Sequence, residues 1–170
     1  HCQCRRQRQM CIRDRQSYNA SFMNGKKISL CTVLLAMLSC SQGDVDLHDT
    51  RSISSESLKG HWVIVNYWAD WCPPCLKEIP ELAKFSNLNP DIKVFGFNFD
   101  RLEGEELEEQ LDRFGHTYPS LLTHPKTIWG IETPQSLPAT FFINPNGEVV
   151  FASKRPIDAT AIEEILSSLQ

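Results

Sequence analysis

Two thiols three positions apart, Cys72 and Cys75, form the one reactive constellation in this sequence, with Pro73 and Pro74 between them and Trp71 before them. Two intervening residues let the second sulfur reach back to the first. That spacing suits thiol–disulfide exchange, in which a thiolate attacks a disulfide and a second thiol resolves the mixed disulfide. A structural zinc half-site would need two further ligands at suitable spacing. No second Cys-x-x-Cys exists, and His48, His61, His116 and His124 are scattered. A copper-binding module is disfavoured in the same way, because no Met or His recurs at a regular distance from the pair. The residues therefore read as metal-free, with no cofactor beyond a redox-active Cys72–Cys75 disulfide.

The flanking elements decide which sulfur attacks. Trp62 to Ala69 is a continuous apolar, β-rich run broken only by Asn66. It is too short for a helix and reads as a buried central strand. Leu76 to about Leu88 has helical spacing, and Pro is favoured in a first helical turn. Strand, tight turn and helix follow in order, which puts Cys72 at a helix N-terminus. Unpaired N–H groups and partial positive charge there stabilise a thiolate. Cys72 is thus the attacking thiol and Cys75 the resolving one. Pro80 is expected to kink the helix.

Further along, Ile92–Phe99 alternates as a second strand, and Leu107, Leu111 and Phe114 mark one face of a helix at about 103–114. Tyr118–Leu122 reads as a short strand and His124–Gly130 as a helical turn. Ala139–Ile143 and Glu148–Ala152 flank Asn144-Pro145-Asn146-Gly147, a hairpin signal. Ile162, Ile165, Leu166 and Leu169 form the stripe of a closing amphipathic helix. Alternating β and α segments imply an α/β layered fold. His116 and His124 fall in the middle insertion and are expected at the surface.

Trp68-Ala69-Asp70-Trp71-Cys72-Pro73-Pro74-Cys75 after a buried strand resembles the active site of the thioredoxin fold. Glu78 and Pro80, together with Leu137-Pro138-Ala139-Thr140-Phe141 before a strand, are similar to the TlpA/ResA branch of exported thioredoxin-like proteins. The resemblance covers about residues 58–170. It implies a thioredoxin fold: a central mixed sheet flanked by helices, a C-terminal hairpin plus helix, and a middle insertion. It implies that Pro138 is cis, that the Leu137-Pro138 loop lies against the cysteines and offers backbone groups to an extended substrate, and that Trp71 shields the thiol and meets partners. Glu78 would move protons to or from Cys75. Asn66 stands where cytoplasmic thioredoxins carry a buried Asp; it cannot act as a base and is expected to be a hydrogen-bonded buried amide.

The activity implied is reduction of disulfides in exported proteins, apocytochrome c among them. An oxidising periplasm would leave the pair oxidised, so an inner-membrane thiol electron donor would have to recycle it. An oxidase or a peroxide-reducing enzyme on the same fold is the alternative. Pro73 and Pro74 lack N–H groups, so two donors near the Cys72 sulfur are missing. The span from thioredoxin to DsbA is about 150 mV, or about 7 kcal/mol, and this pair is expected near the reducing end.

The bulk composition, 41% apolar and 22% charged with net charge −4 over 170 residues, conceals a division. Five of the seven cysteines lie within the first 40 residues. Arg5, Arg6, Arg8, Arg13 and Arg15 fall in the first 22 against a single acid, Asp14. From Cys40 onward the chain carries ten basic and 20 acidic residues. Such a balance leaves no basic patch for nucleic acid. Residues 28–39 form a short apolar run after Lys26 and Lys27, too short to span a bilayer, and read as a secretory signal beginning near Met23. Met37-Leu38-Ser39-Cys40 resembles a bacterial lipobox, which would make Cys40 the lipidated first residue of a mature, membrane-anchored monomer. Ser41, with no Asp at that position, would favour the outer membrane of a Gram-negative cell. Met10-Cys11-Ile12-Arg13-Asp14 reads like translated sequencing-adapter DNA, so residues 1–22 are expected to be an assembly artefact or disordered; the alternative, a metal site at Cys2, Cys4 and Cys11, is a weak signal. Residues 40–57 read as a lipidated tether, with the domain over 58–170.

Overall fold

In the computed structural model, residues 43–169 are described. The signal-like run at 28–39, the lipobox with Cys40, and residues 1–22 lie outside the described residues.

The chain runs β1 (Val45–Asp46), β2 (Ser52–Ile53), a 3-10 turn (Ser55–Leu58), β3 (Val63–Trp68), α1 (Pro73–Leu88), β4 (Lys93–Asn98), α2 (Gly104–Phe114), α3 (Pro125–Trp129), β5 (Ala139–Ile143), β6 (Val149–Ser153) and α4 (Ala159–Leu169). Four strands make one sheet in the order β4-β3-β5-β6. β3 pairs parallel with β4 and antiparallel with β5, and β5 pairs antiparallel with β6. The sheet is therefore mixed, with β3 inside it. All six residues of β3 are buried, as expected of a strand covered on both faces.

Side-chain alternation divides the core in two. Ile64, Trp68, Val94 and Phe142 pack with Ile79, Leu82 and Phe85 of α1, Leu107 and Leu111 of α2, and Ile162 and Leu166 of α4. Val63, Val65, Tyr67, Phe95, Phe97 and Ile143 point the other way, against Val45, Leu47, Leu58, Leu121 and Ile131. Apolar burial at about 25 cal/mol per Å² drives both layers. α1 continues through Pro80, which lies on its exposed side. The β5–β6 turn is closed by Asn144, whose Oδ1 accepts from the N–H groups of Asn146 and Glu148, with Gly147 at φ 85°.

Three expectations are corrected. Residues 44–57 are part of the domain and not a tether. Val45 and Leu47 are 0% and 2% exposed. The β1–β2 hairpin is tied to residues 120–123 by the bonds His48 N–H to Ser120 O (2.9 Å), Leu122 N–H to Asp46 O (2.8 Å) and Asp46 N–H to Thr123 Oγ1 (2.8 Å). The hairpin helps cover the second face of the sheet, where Val45 and Leu47 pack with Leu58 of the 3-10 turn and with Leu121. Second, His116 is not at the surface. It is 6% exposed, stacked on Tyr118 with ring centroids 3.8 Å apart and set beside Trp68 at 5.4 Å. Gly96 makes the room: a Cβ there would lie 2.2 Å from His116 Nε2. His124 is half-buried and caps α3, its Nδ1 accepting from Lys126 N–H. The Tyr118–Leu122 segment is not a full strand but two isolated bridges, Ser120 to Gly96 and Leu121 to Leu47.

Candidate active site

β3 ends at Trp68, and a bend places Cys72 as the N-cap of α1, with Pro73 and Pro74 as the first two helical residues. The sequence builds this corner simply. Pro in the first turn sacrifices no helical bond, and the Cys72 sulfur takes the cap's acceptor role. Cys75 N–H donates to Cys72 Sγ at 3.3 Å. With Pro73 and Pro74 unable to donate, Cys75 supplies the first N–H of the helix that can reach that sulfur. Cys72 and Cys75 are joined as a disulfide, with Cα atoms 5.3 Å apart. Cys72 is 4% exposed and Cys75 is 0% exposed, so an incoming sulfur can reach only Cys72.

Leu137 and Pro138 come to the same end of the sheet. β5 runs antiparallel to β3, with Ala139 opposite Tyr67, so the residue before Ala139 lies beside the end of β3 from which the Cys72 bend departs. The Leu137–Pro138 peptide is cis. Pro138 is buried, and Leu137 packs against the cluster that holds Cys72 and Cys75. Trp71 is 57% exposed. Its indole Nε1–H donates to Asp100 Oδ2 at 2.8 Å, and its ring meets Phe99 edge-on.

Beneath the disulfide lies a buried carboxyl. Glu78 is three residues after Cys75, hence on the same face of α1, and is 1% exposed. Its Oε1 accepts from Ile157 N–H (2.8 Å) and its Oε2 from Asn66 Nδ2–H (3.3 Å). Asn66 also donates to Thr140 Oγ1 (2.9 Å). Burial disfavours the charged form and pushes the Glu78 pKa up to about 7, with the Ile157 and Asn66 hydrogen bonds working in the opposite direction.

The site residues read from the sequence thus fall into two groups. Trp71, Cys72, Pro73, Pro74, Cys75, Leu137 and Pro138 lie at one end of the sheet, and Glu78 and Asn66 meet below them. Asp100, Thr140 and the Ile157 N–H were not anticipated as members. Thr140 stood in the Pro-x-Thr-Phe motif, whereas a backbone donor such as Ile157 leaves no trace in residue type.

Residues 40–152 match the AhpC/TSA family. The chain is 33% identical over 116 residues to the thiol:disulfide interchange protein DsbE of Allochromatium vinosum, covering 67% of this chain and 63% of that one. It is 30% identical over 110 residues to the thiol-disulfide oxidoreductase ResA of Bacillus subtilis, covering 61% and 60%. The chain thus spans somewhat under two thirds of the length of these two relatives. The crystal structure of StoA from Bacillus subtilis superposes with a TM-score of 0.58 at 24% identity, over 71% of this chain and 92% of that one. The mixed sheet, the Cys72 bend and the Pro138 loop thus form a thioredoxin-like fold, and the chain belongs to the AhpC/TSA family, with relatives among the ResA and DsbE proteins.

Proposed function

We propose that the protein is a thiol–disulfide oxidoreductase that reduces disulfides in exported proteins. The observation that carries this reading is the asymmetry of the pair: Cys72 at the helix N-terminus, slightly exposed, and Cys75 fully buried one turn above a carboxyl with a pKa of about 7.

In the reduced protein, the Cys72 thiolate attacks one sulfur of a substrate disulfide. The Cys72–substrate bond forms as the substrate S–S bond breaks, and the leaving sulfur takes a proton. Cys75 then gives its proton to the Glu78 carboxylate and attacks Cys72 Sγ. The Cys72–Cys75 bond forms, and the second substrate sulfur leaves with its electron pair. A group with a pKa near the working pH suits the acid and base halves of this cycle. Trp71 and the Leu137-Pro138 loop border the attacked sulfur and would receive an extended substrate segment. Lipidation at Cys40 would hold the domain at a membrane outside the cytoplasm. An inner-membrane thiol donor would return two electrons to the pair, and apocytochrome c is one candidate substrate.

The test is a Cys75→Ala variant expressed in the producing cell. Mixed disulfides at Cys72 should accumulate and dissolve on addition of dithiothreitol. Should Cys75→Ala trap no more protein than a Cys72→Ala, Cys75→Ala control, the exchange mechanism is wrong.

A further inference from the structure

The proposed mechanism deposits a proton on a carboxyl with almost no solvent contact, and it leaves one buried imidazole unused. His116 lies in the space of a missing side chain: Nε2 and Cε1 are 2.2 and 2.6 Å from where a Cβ of Gly96 would be. Gly96 pairs in register with Asn66, and Asn66 with Thr140. Adjacent strands are about 4.8 Å apart, so the His116 ring is the lateral neighbour of the Asn66 side chain on the helix-facing side of the sheet. Asn66 is the residue that binds Glu78.

Along this row polar atoms stand unpaired. Asn66 Oδ1, Trp68 Nε1, Tyr118 Oη and both ring nitrogens of His116 are buried without a protein partner. Trp68 Nε1 is itself 3.3 Å from the same Gly96 position. Buried polar groups are nearly always paired, with protein or with ordered water. Five unpaired atoms together beside a buried carboxyl mark a polar lane through an otherwise apolar layer. The lane also has an exit. His116 lines a surface cavity of about 230 Å³ together with His48, Asp49, Glu108 and Asp112. The ring therefore touches the Glu78 neighbourhood on one side and an acidic surface cavity on the other.

We infer that His116 is a proton-relay residue connecting Glu78 to this cavity; the inference rests on the proposed role of Glu78. After Cys75 resolves the mixed disulfide, Glu78 holds the proton taken from Cys75. That proton passes to the ring through ordered water held by the unpaired atoms of the row, because the Asn66 Nδ2–H that meets Glu78 is a donor and cannot take it. His116 accepts at one nitrogen and releases the proton of the other to a cavity carboxylate or to solvent, so the two tautomers exchange and the ring gains no net charge. No electrons move in this step. Burial holds the His116 pKa down to about 3, so the ring does not persist as an imidazolium and acceptance and release must be concerted. In this role His116 acts through Glu78. The groups facing Glu78 are Cys75, Asn66, Thr140, Ile157 N–H and Tyr118; those facing His116 are Tyr118, Trp68, His48 and the cavity acids.

The experiment follows oxidation of the reduced protein by a cystine-containing peptide, by stopped-flow tryptophan fluorescence between pH 5.5 and 9. Wild type, Glu78→Gln, His116→Phe and His116→Ala are compared, each checked by thermal unfolding. General acid–base steps contribute about a hundredfold or more, and loss of a relay is expected to slow resolution about tenfold at pH 7 in both His116 variants, with free imidazole restoring His116→Ala through the opened cavity. Slow Glu78→Gln beside wild-type rates in both His116 variants would overturn the relay and leave the Glu78 reading intact. Wild-type rates in Glu78→Gln would remove both. Slowing without imidazole rescue or any change in pH profile would reduce His116 to a packing role. A measurement on the unsubstituted protein covers misfolding of either His116 variant: ¹⁵N spectra should show the His116 tautomer ratio changing between oxidised and reduced forms, and an unchanged ratio would count against the relay.

Discussion

Replacing Glu78 by Gln separates the charge of this side chain from its shape. Burial raises the Glu78 pKa from 4.5 to about 7 in the folded protein. Below pH 4.5 the folded and unfolded chains both hold the proton, and the favourable contribution of the protonated group is fully present. Between pH 4.5 and about 7 the unfolded chain ionises while the folded one does not, so stability falls as pH rises. Above the folded pKa the loss is complete, and the rise from 4.5 to about 7 corresponds to about 3 kcal/mol. The carboxyl is 1% exposed, so solvent screening does little to reduce this figure.

Gln fits the same space. Its amide oxygen can accept from Ile157 N–H as Glu78 Oε1 does. Its NH₂ would meet Asn66 Nδ2, but a flip of the Asn66 amide presents Oδ1, which has no partner in the native arrangement, and Thr140 Oγ1–H can then donate to that oxygen. The assay is urea unfolding of the oxidised proteins at half-unit steps from pH 4 to 8.5. Groups that titrate in both proteins cancel in the difference. The two stabilities should differ by a constant up to pH 4.5 and then diverge, with Glu78→Gln gaining about 3 kcal/mol by pH 8. A difference that stays flat across the range would refute the claim that desolvation governs this carboxyl.

Gly96→Ala should cost about 1–3 kcal/mol by overpacking, despite the usual benefit of replacing Gly in a strand, because the new Cβ meets the His116 ring held between Tyr118 and Trp68. A loss under about 0.5 kcal/mol, which is ordinary for an unconstrained site, would show that the ring does not occupy that space. Asp100→Ala frees the Trp71 indole; stability should change by about 0.5 kcal/mol or less, while KM for a disulfide peptide rises and kcat holds. Equal KM values in the two proteins would deny Asp100 any part in orienting Trp71. Pro74→Ala restores an N–H in the first turn near the Cys72 sulfur, and glutathione equilibration should then read a potential raised by about 30 mV, the equivalent of about 1.4 kcal/mol. An unchanged potential would sever the link between missing donors and reducing character.

The strand–bend–helix unit was legible because three independent signals coincide within residues 62–88: an unbroken apolar run, prolines at a helix start, and helical spacing after them. The hairpin at residues 45–53 was not, because only Val45 and Leu47 alternate there, and two apolar residues do not establish a period of two. Its place depends on bonds to residues 120–123, far away in sequence. The burial of His116 was not legible for a related reason. A histidine in an inserted segment reads as exposed, and its burial depends on a glycine 20 positions earlier that the register of β4 sets beside Asn66.

That register also explains why an amide at position 66 goes with a carboxyl at 78. Were residue 66 an Asp, two carboxyls would face each other across about one hydrogen bond, where like charges drive one pKa far up and couple the two titrations. With Asn66, Glu78 titrates alone, and Asn66 Nδ2–H stabilises its ionised form. In the proposed mechanism one proton is then exchanged for each resolving event, matching the single thiol of Cys75. Moving the carboxyl from strand to helix also fixes its distance to that thiol, because residues three apart on α1 share a face whatever happens to the sheet. Glu78 and Cys75, the proton acceptor and resolving thiol of the proposed mechanism, therefore belong to one rigid element, while Cys72 sits at its N-cap as the more exposed of the two sulfurs.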